Sequence, residues 1–208
     1  MTFPPRNSRG ILFSQAMVRA LDADRKTQTR RLAASPLRKV RPGDSLWVRE
    51  TYAYVGSMDP GWLLYRASDY QAQCRAHGFD EPYPDPRTIK WSPSLLMPRR
   101  ASRLTLIAAD VRFERLHDIS AADAIAEGIE TSGGRCRGND TLAWRTDPKV
   151  AYADLWCSLH PDTIPVRDPD TKRIIGHAPN PARWEANPEL VVLSFDLARR
   201  NIDKAPAP

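Results

Sequence analysis

Nothing in this chain stays apolar long enough to cross a membrane: the mean hydropathy is −0.52, 27% of the residues are charged, and no unbroken hydrophobic segment approaches the length a spanning helix needs. Cysteine is scarce. The three that occur (Cys74, Cys136, Cys157) are odd in number and scattered, which argues against a disulfide scaffold. The opening stretch "MTFPPRNSRG" lacks the apolar h-region of a secretory signal, so a reducing cytoplasm is the expected compartment. No internal repeat is visible, which excludes solenoid architectures. Metal-ligand spacing is also thin. Two C-x-x-H pairs exist, Cys74 with His77 and Cys157 with His160, but zinc sites usually bring C-x-x-C or longer histidine spacings. Buried thiols, surface histidines and no metal or other cofactor are expected.

What the chain does have is positive charge. Lys and Arg number 31 against 25 Asp and Glu, a formal +6, and the pI is about 9.5. A polyanionic partner such as RNA fits that balance, provided the basic residues cluster. They do, at 25–41 and again at 99–103. The first cluster opens with "DRKTQTRRL", in which Arg25, Lys26, Arg30 and Arg31 crowd around Thr27, Gln28 and Thr29. Two uses compete for it: a basic strip that holds phosphates, or a site in which crowding tunes a lysine against a threonine.

At 208 residues the chain suits one domain over 1–200 with a flexible tail at 201–208. "FSQAMVRALDADRK" spaces Phe13, Met17 and Leu21 helically behind a capping Ser14, which predicts a helix over 14–22. "RPGDSLWVRETYAYV" and "GWLLYRA" read as strands after turn residues. Residues 68–98, rich in Pro, Asp and Arg, read as a loop excursion, and 160–185 as a second one that holds a hairpin around Asp168-Pro169-Asp170. "RLTLIAADVRFERL" predicts one long core strand carrying Leu104, Leu106, Val111 and Phe113, and "ELVVLSFDLA" a closing strand. "AYADLWCSL" places Tyr152, Leu155, Trp156 and Leu159 on one helical face. Three helices among short strands argue for an α+β domain on a curved sheet or small barrel.

"ISAADAIAEG" gives the clearest helix signal, with Ser120 as cap, Asp123 three residues on, and Gly128 as stop. Glu127 then falls in the last turn, where the helix dipole disfavours a carboxylate by a few tenths to about 1 kcal/mol. Something outside the helix is expected to use it.

Taken together and in order, "RGILFSQAMVRAL", "RKTQTRR", "PGDSLWVRETYA", "KWSPSLLMPRRASRLTL", "ERLHDISAADAIAEGI" and "NPELVVLSF" resemble the phage- and prophage-encoded ASCH-domain proteins. The resemblance covers about 10–195 and implies a PUA-like fold, a small curved β-barrel with flanking helices and, in this chain, extended loop insertions. It also implies an RNA-related role in a cytoplasm, the bacterial host's if the chain is phage-encoded. Small bacterial members of the family are metal-independent amidohydrolases that deacetylate N4-acetylcytidine, through a G-x-K-x-x-T-x-R motif and a later glutamate. "DRKTQTRR" supplies Lys26, Thr29 and Arg31 at that spacing, with Asp24 where the motif has glycine, and the glutamate matches Glu127. The chain departs from relatives at Leu96 and Arg100, where these often carry histidine and tryptophan, and 162–181 looks inserted.

The chemistry this implies is coherent. Thr29 is the nucleophile and Lys26 its base, with an ammonium disfavoured by burial and by Arg25, Arg30 and Arg31; Glu127 orients Lys26 or carries a proton to the leaving amine. One geometric condition attaches to it. Residues three apart share a side only in a turn, so Lys26 and Thr29 need one between them. The expected substrate is a modified cytidine nucleoside or RNA. Arg31, Glu50, Tyr52 and Trp91 are candidates for holding it, the aromatics by stacking on the base; Arg25, Arg30, Arg99, Arg100 and Arg103 are candidates for phosphates. Alternatives are a non-enzymatic RNA or modified-nucleotide binder using the same cations, and a ribonuclease.

Overall fold

A computed structural model describes residues 8–57, 59, 61–138, 141 and 143–204. Its strands and helices, in chain order, begin with β1 (Ser8–Leu12), α1 (Gln15–Asp22), β2 (Gln28–Leu32), β3 (Ser45–Arg49), β4 (Tyr52–Val55), β5 (Trp62–Tyr65) and α2 (Tyr70–Ala76). They continue with β6 (Thr105–Arg115), α3 (Ala121–Ala126), β7 (Glu130–Ser132), β8 (Arg135–Arg137), α4 (Pro148–Leu159), β9 (Thr163–Arg167), β10 (Ile174–Pro179) and β11 (Glu189–Ala198). The chain is therefore mixed α+β. Its main sheet is open and five-stranded, in the order β1-β3-β6-β11-β2; the β1–β2 pairing that would close it into a barrel is not among the pairings of the described residues. No described helix is long and apolar enough to cross a membrane.

The chain divides into two compact units, each assembled from separate stretches. The first comprises Met1–Ala23, Arg41–Ala109 and Phe195–Pro208. In it β1 pairs in parallel with β3, and β3 pairs antiparallel with β6, Leu46 opposite Leu106. Gly10 lies where a Cβ would stand 2.7 Å from Arg49 Cδ and 3.0 Å from the Trp47 ring, so the strand has room for no side chain there. Helix α1 starts where Ser14 Oγ accepts the Met17 amide at 3.3 Å, and buries Val18, Ala20 and Leu21. Each large side chain so buried contributes about 1.5–3 kcal/mol. Within the excursion at 68–98 a helix forms that periodicity did not reveal. Seven-residue α2 is capped by Asp69, which accepts the Ala72 amide at 2.6 Å, and it buries only Cys74, too little to leave a pattern.

The second unit comprises Asp24–Val40 and Asp110–Ser194. Here β2 pairs antiparallel with β11, Thr29 opposite Leu193. Helices α3 and α4 pack a core of Leu116, Ile119, Ala124, Tyr152, Leu155 and Trp156. The α4 helix begins a turn earlier than its apolar face suggests, because Asp147 caps it and Pro148 opens it. The hairpin at 163–179 forms as read, with Asp168 Oδ1 accepting the amides of Asp170 and Thr171.

Two expected core residues lie outside. Phe113 is 51% exposed and Leu159 46% exposed. For Phe113 the reason is visible in β6, where consecutive residues Ala109 and Asp110 are both exposed and the alternation breaks. Asn201 to Lys204, read from sequence as the head of a flexible tail, contains a short 3-10 turn that buries Ile202.

Candidate functional site

Helix α1 ends at Asp22, and Asp24 then takes a left-handed backbone (φ 54°), a conformation that glycine adopts freely and aspartate tolerates better than most. That residue turns the chain so that the next ones run extended alongside the end of α3. The Thr27 amide donates to Ala126 O at 2.9 Å, the Arg25 guanidinium to Gly128 O at 3.0 Å, and Lys26 forms an antiparallel bridge with Glu127. The expected phosphate ligand Arg25 is thus occupied in tying the segment to the helix end.

Lys26 is 2% exposed, and its Nζ donates to three oxygens at 2.8 Å each: Gln28 O, Glu127 O and Glu127 Oε2. Three acceptors match the three N–H groups of an ammonium. One of them is the backbone carbonyl of the α3 C-cap, an oxygen that a helix end leaves in need of a donor. This is the external partner that the awkward position of Glu127 called for: its carboxylate sits at the negative end of α3 because a buried lysine and an arginine neutralise it. Burial pulls the Lys26 pKa below its usual value of 10.5; Glu127 pulls it back up, and Arg31 and Arg30 add to the lowering. Desolvation wins, since the lysine side chain is out of reach of solvent.

Extended backbone puts alternate residues on the same side, and Lys26, Gln28 and Arg30 together meet the acids. Arg30, expected at a phosphate, is only 3% exposed. Its Nη1 donates to Glu127 Oε1 at 3.2 Å and to Gln28 Oε1, its Nε to Glu114 Oε1 at 2.9 Å, and its Nη2 lies 3.4 Å from Asp123 Oδ2. Arg112 closes the network from outside, donating to Glu114 at 3.2 Å and Asp123 at 3.0 Å. Three cations therefore face three carboxylates, wholly buried at Lys26 and progressively wetter toward Asp123 and Arg112. Unpaired, each such ion would cost several kcal/mol of desolvation.

Thr29 is fully buried, and its Oγ1 accepts a hydrogen bond from Arg31 Nη1 at 2.8 Å. The turn that would set Thr29 beside Lys26 is absent: Lys26 sits in an extended bridge and Thr29 inside β2. Backbone pairing decides this, because β2 is held in register by β11. Tyr152, which sequence reading assigned to the core face of α4, is also part of the site. Burial, then Glu127, hold its hydroxyl well above a pKa of 10, and the Arg30 guanidinium lies 6.0 Å from its ring centre. The phenol therefore stays protonated and able to donate.

Gln28, Glu114, Asp123 and Tyr152 were missed because each carries another plausible label: strand filler, strand end, helix cap, core aromatic. Only the in-out alternation of Lys26, Gln28 and Arg30 hinted at a shared face.

The remaining candidates belong to the first unit, each with its own partners. Glu50, 1% exposed, is gripped by Arg103, whose Nε and Nη2 donate to its two oxygens at 2.8 and 3.1 Å. Arg103 also reaches Asp22 at 2.9 Å and lies over the Tyr65 ring at 4.8 Å. Burial raises the Glu50 pKa against the pull of Arg103. Its carboxylate is committed to that fork, and Arg103, expected at a phosphate, is committed with it. Tyr52 is buried, donating its hydroxyl to Leu96 O at 3.2 Å. Trp91 is half-exposed, with Arg66 5.9 Å from its ring centre, and lines a hollow of about 320 Å³ with Tyr65, Ser68 and Arg87. Arg99 is paired with Asp203 at 2.7 Å, and Arg100 is exposed.

The cysteine–histidine pairs have other roles. Cys74 is buried, His77 stacks on Trp62 at 5.0 Å, and His160 stacks on Trp156 at 4.1 Å. Among the described residues no group of three or more His, Cys, Asp or Glu gathers in a metal-binding arrangement. No protein-family model, curated protein or solved structure matches the chain.

Proposed function

We propose that the second unit is an amidohydrolase site acting on N4-acylated cytosine nucleosides, in a chain of ASCH type with a PUA-like fold. The observation that carries this reading is the buried pair of Lys26 and Glu127, 2.8 Å apart on the two segments that the resemblance singled out. The left-handed backbone at Asp24 supports it, because the family's motif has glycine there and a positive φ is what glycine supplies.

Thr29 Oγ attacks the acyl carbon, the C–N4 bond breaks, and N4 leaves with a proton delivered through Lys26 and Glu127; water then cleaves the acyl-threonine ester. Arg31 favours loss of the threonine proton, since a cation donating to the hydroxyl oxygen stabilises its deprotonated form. The Lys26 ammonium uses all three of its donors, whereas the neutral amine has two and a lone pair. Losing a proton therefore releases one of its acceptors and leaves Nζ a lone pair; taking the threonine proton then requires the 26–29 segment to turn, because the extended backbone holds the two side chains apart. Lowering of the Lys26 pKa by burial acts in the required direction.

The test is release of cytidine from N4-acetylcytidine, followed by chromatography with and without a chelator, against Lys26→Ala and Glu127→Ala. Release that survives the chelator and is lost in both folded variants supports the reading. Absence of release anywhere between about pH 6 and 10, on the near side of the ordinary lysine value, rejects it.

A further inference from the structure

Two basic stretches of the first unit, about a hundred residues apart in sequence, are stapled together by groups that have no part in the Lys26 site. Asn201 Nδ2 donates to the carbonyls of Arg99, Arg100 and Ser102 at 3.0, 3.2 and 2.8 Å. The Arg99 guanidinium holds Asp203 at 2.7 Å, Thr105 Oγ1 donates to Arg200 O at 2.9 Å, and Ile202 is buried beneath the turn. These bonds fix both backbones, and a cleft of about 600 Å³ opens along them.

The lining of this cleft is lopsided in charge. Among the described residues of its lining, Arg100, Arg103, Arg199, Arg200 and Lys204 face one acid, Asp203, which Arg99 already neutralises. Arg103 is spent on Glu50 and Asp22; Arg100, Arg199, Arg200 and Lys204 are exposed at the rim, Arg199 also donating to Asp22 O at 3.1 Å. Gathering four exposed cations costs repulsion, and fixing the backbone beneath them means that a polyanion finds its partners preorganised. Four cationic heads around such a volume exceed what one phosphate group occupies. Among the described residues no aromatic lines the cleft, so none of them stacks on a base there.

We propose that this cleft binds the phosphodiester backbone of a nucleic-acid strand, gripping successive phosphates without reading sequence. The assignment is independent of the amidohydrolase reading. The cleft takes in Arg100 and Arg103 of the cluster expected from sequence, Arg103 being held by Glu50 and Asp22, and adds Arg199, Arg200 and Lys204.

The experiment is fluorescence anisotropy of a short labelled oligothymidylate with the full chain over a range of salt concentrations. Arg100→Ala, Arg200→Ala and Lys204→Ala are each compared with Arg100→Lys and with Lys149→Ala, an exposed cation of the other unit. Melting curves establish that each variant is folded. The expected result is weaker binding in each cleft alanine variant, with the log-log salt slope reduced by about 0.7 per cation removed; Arg100→Lys and Lys149→Ala keep the wild-type slope. Cleft variants that bind with the wild-type slope overturn the proposal. So does a chain that binds inorganic polyphosphate but not the oligonucleotide, because the ligand is then a phosphate polymer of another kind.

Discussion

Lys26 Nζ lies 2.8 Å from Glu127 Oε2 across 101 residues of sequence, with the lysine side chain entirely and the glutamate almost entirely out of solvent. Such a pair is weak as a source of stability, because desolvation offsets most of the attraction, yet breaking it is costly because one charge stays behind. That asymmetry makes it testable.

Lys26→Met strands Glu127 beside Arg30 alone and is expected to lower unfolding free energy by about 3–5 kcal/mol. Adding Glu127→Gln removes the stranded charge, so the double variant loses less than the sum of the singles. Urea denaturation of the four proteins gives the coupling directly. Strict additivity contradicts the ion pair.

The pH dependence of stability follows from the sign of the Lys26 shift. Its folded pKa is lowered below 10.5, chiefly by burial, so between the lowered value and 10.5 the unfolded chain binds more protons than the folded one. Stability contributed by this group therefore rises with pH across that window and is flat on either side. Denaturation of wild type and Lys26→Met on the alkaline side is expected to show the rise in the first and not in the second. Parallel profiles refute the shift.

Arg30 holds Glu114, Glu127 and Asp123 with different nitrogens of one fork. Arg30→Lys keeps the charge but cannot span three carboxylates, and so should recover little of the loss caused by Arg30→Ala. If lysine restores the wild-type melting temperature, charge alone matters and the forked geometry does not.

Thr29 separates catalysis from structure. Thr29→Ser keeps the hydroxyl that Arg31 holds and is expected to retain N4-acetylcytidine hydrolysis within about tenfold, about 1.4 kcal/mol of barrier. Thr29→Ala removes the nucleophile and abolishes it. An alanine variant that still turns over at the wild-type rate eliminates Thr29 as nucleophile.

Much of the fold is written in local sequence. The caps at Ser14 and Ser120, the hairpin at Asp168 and the strand at 189–198 depend on neighbours a few residues away, and such signals survive without tertiary context. The spacing of Lys26, Thr29 and Arg31, and the anomaly of a glutamate ending a helix, were legible for the same reason.

Which charges meet was not legible. Arg30 and Arg103 read as surface cations until β2, β6 and α3 enclosed the one, and Glu50 and Asp22 took the other. The side of the strand that Thr29 occupies was set by pairing with β11, and the tail at 201–204 by three carbonyls near residue 100. Sequence by itself determined the elements and the residue types available for chemistry, because propensity and capping act over one or two turns. Tertiary structure alone decided which charge is buried, which is paired and which faces solvent, because desolvation and ion pairing depend on groups brought together from distant parts of the chain.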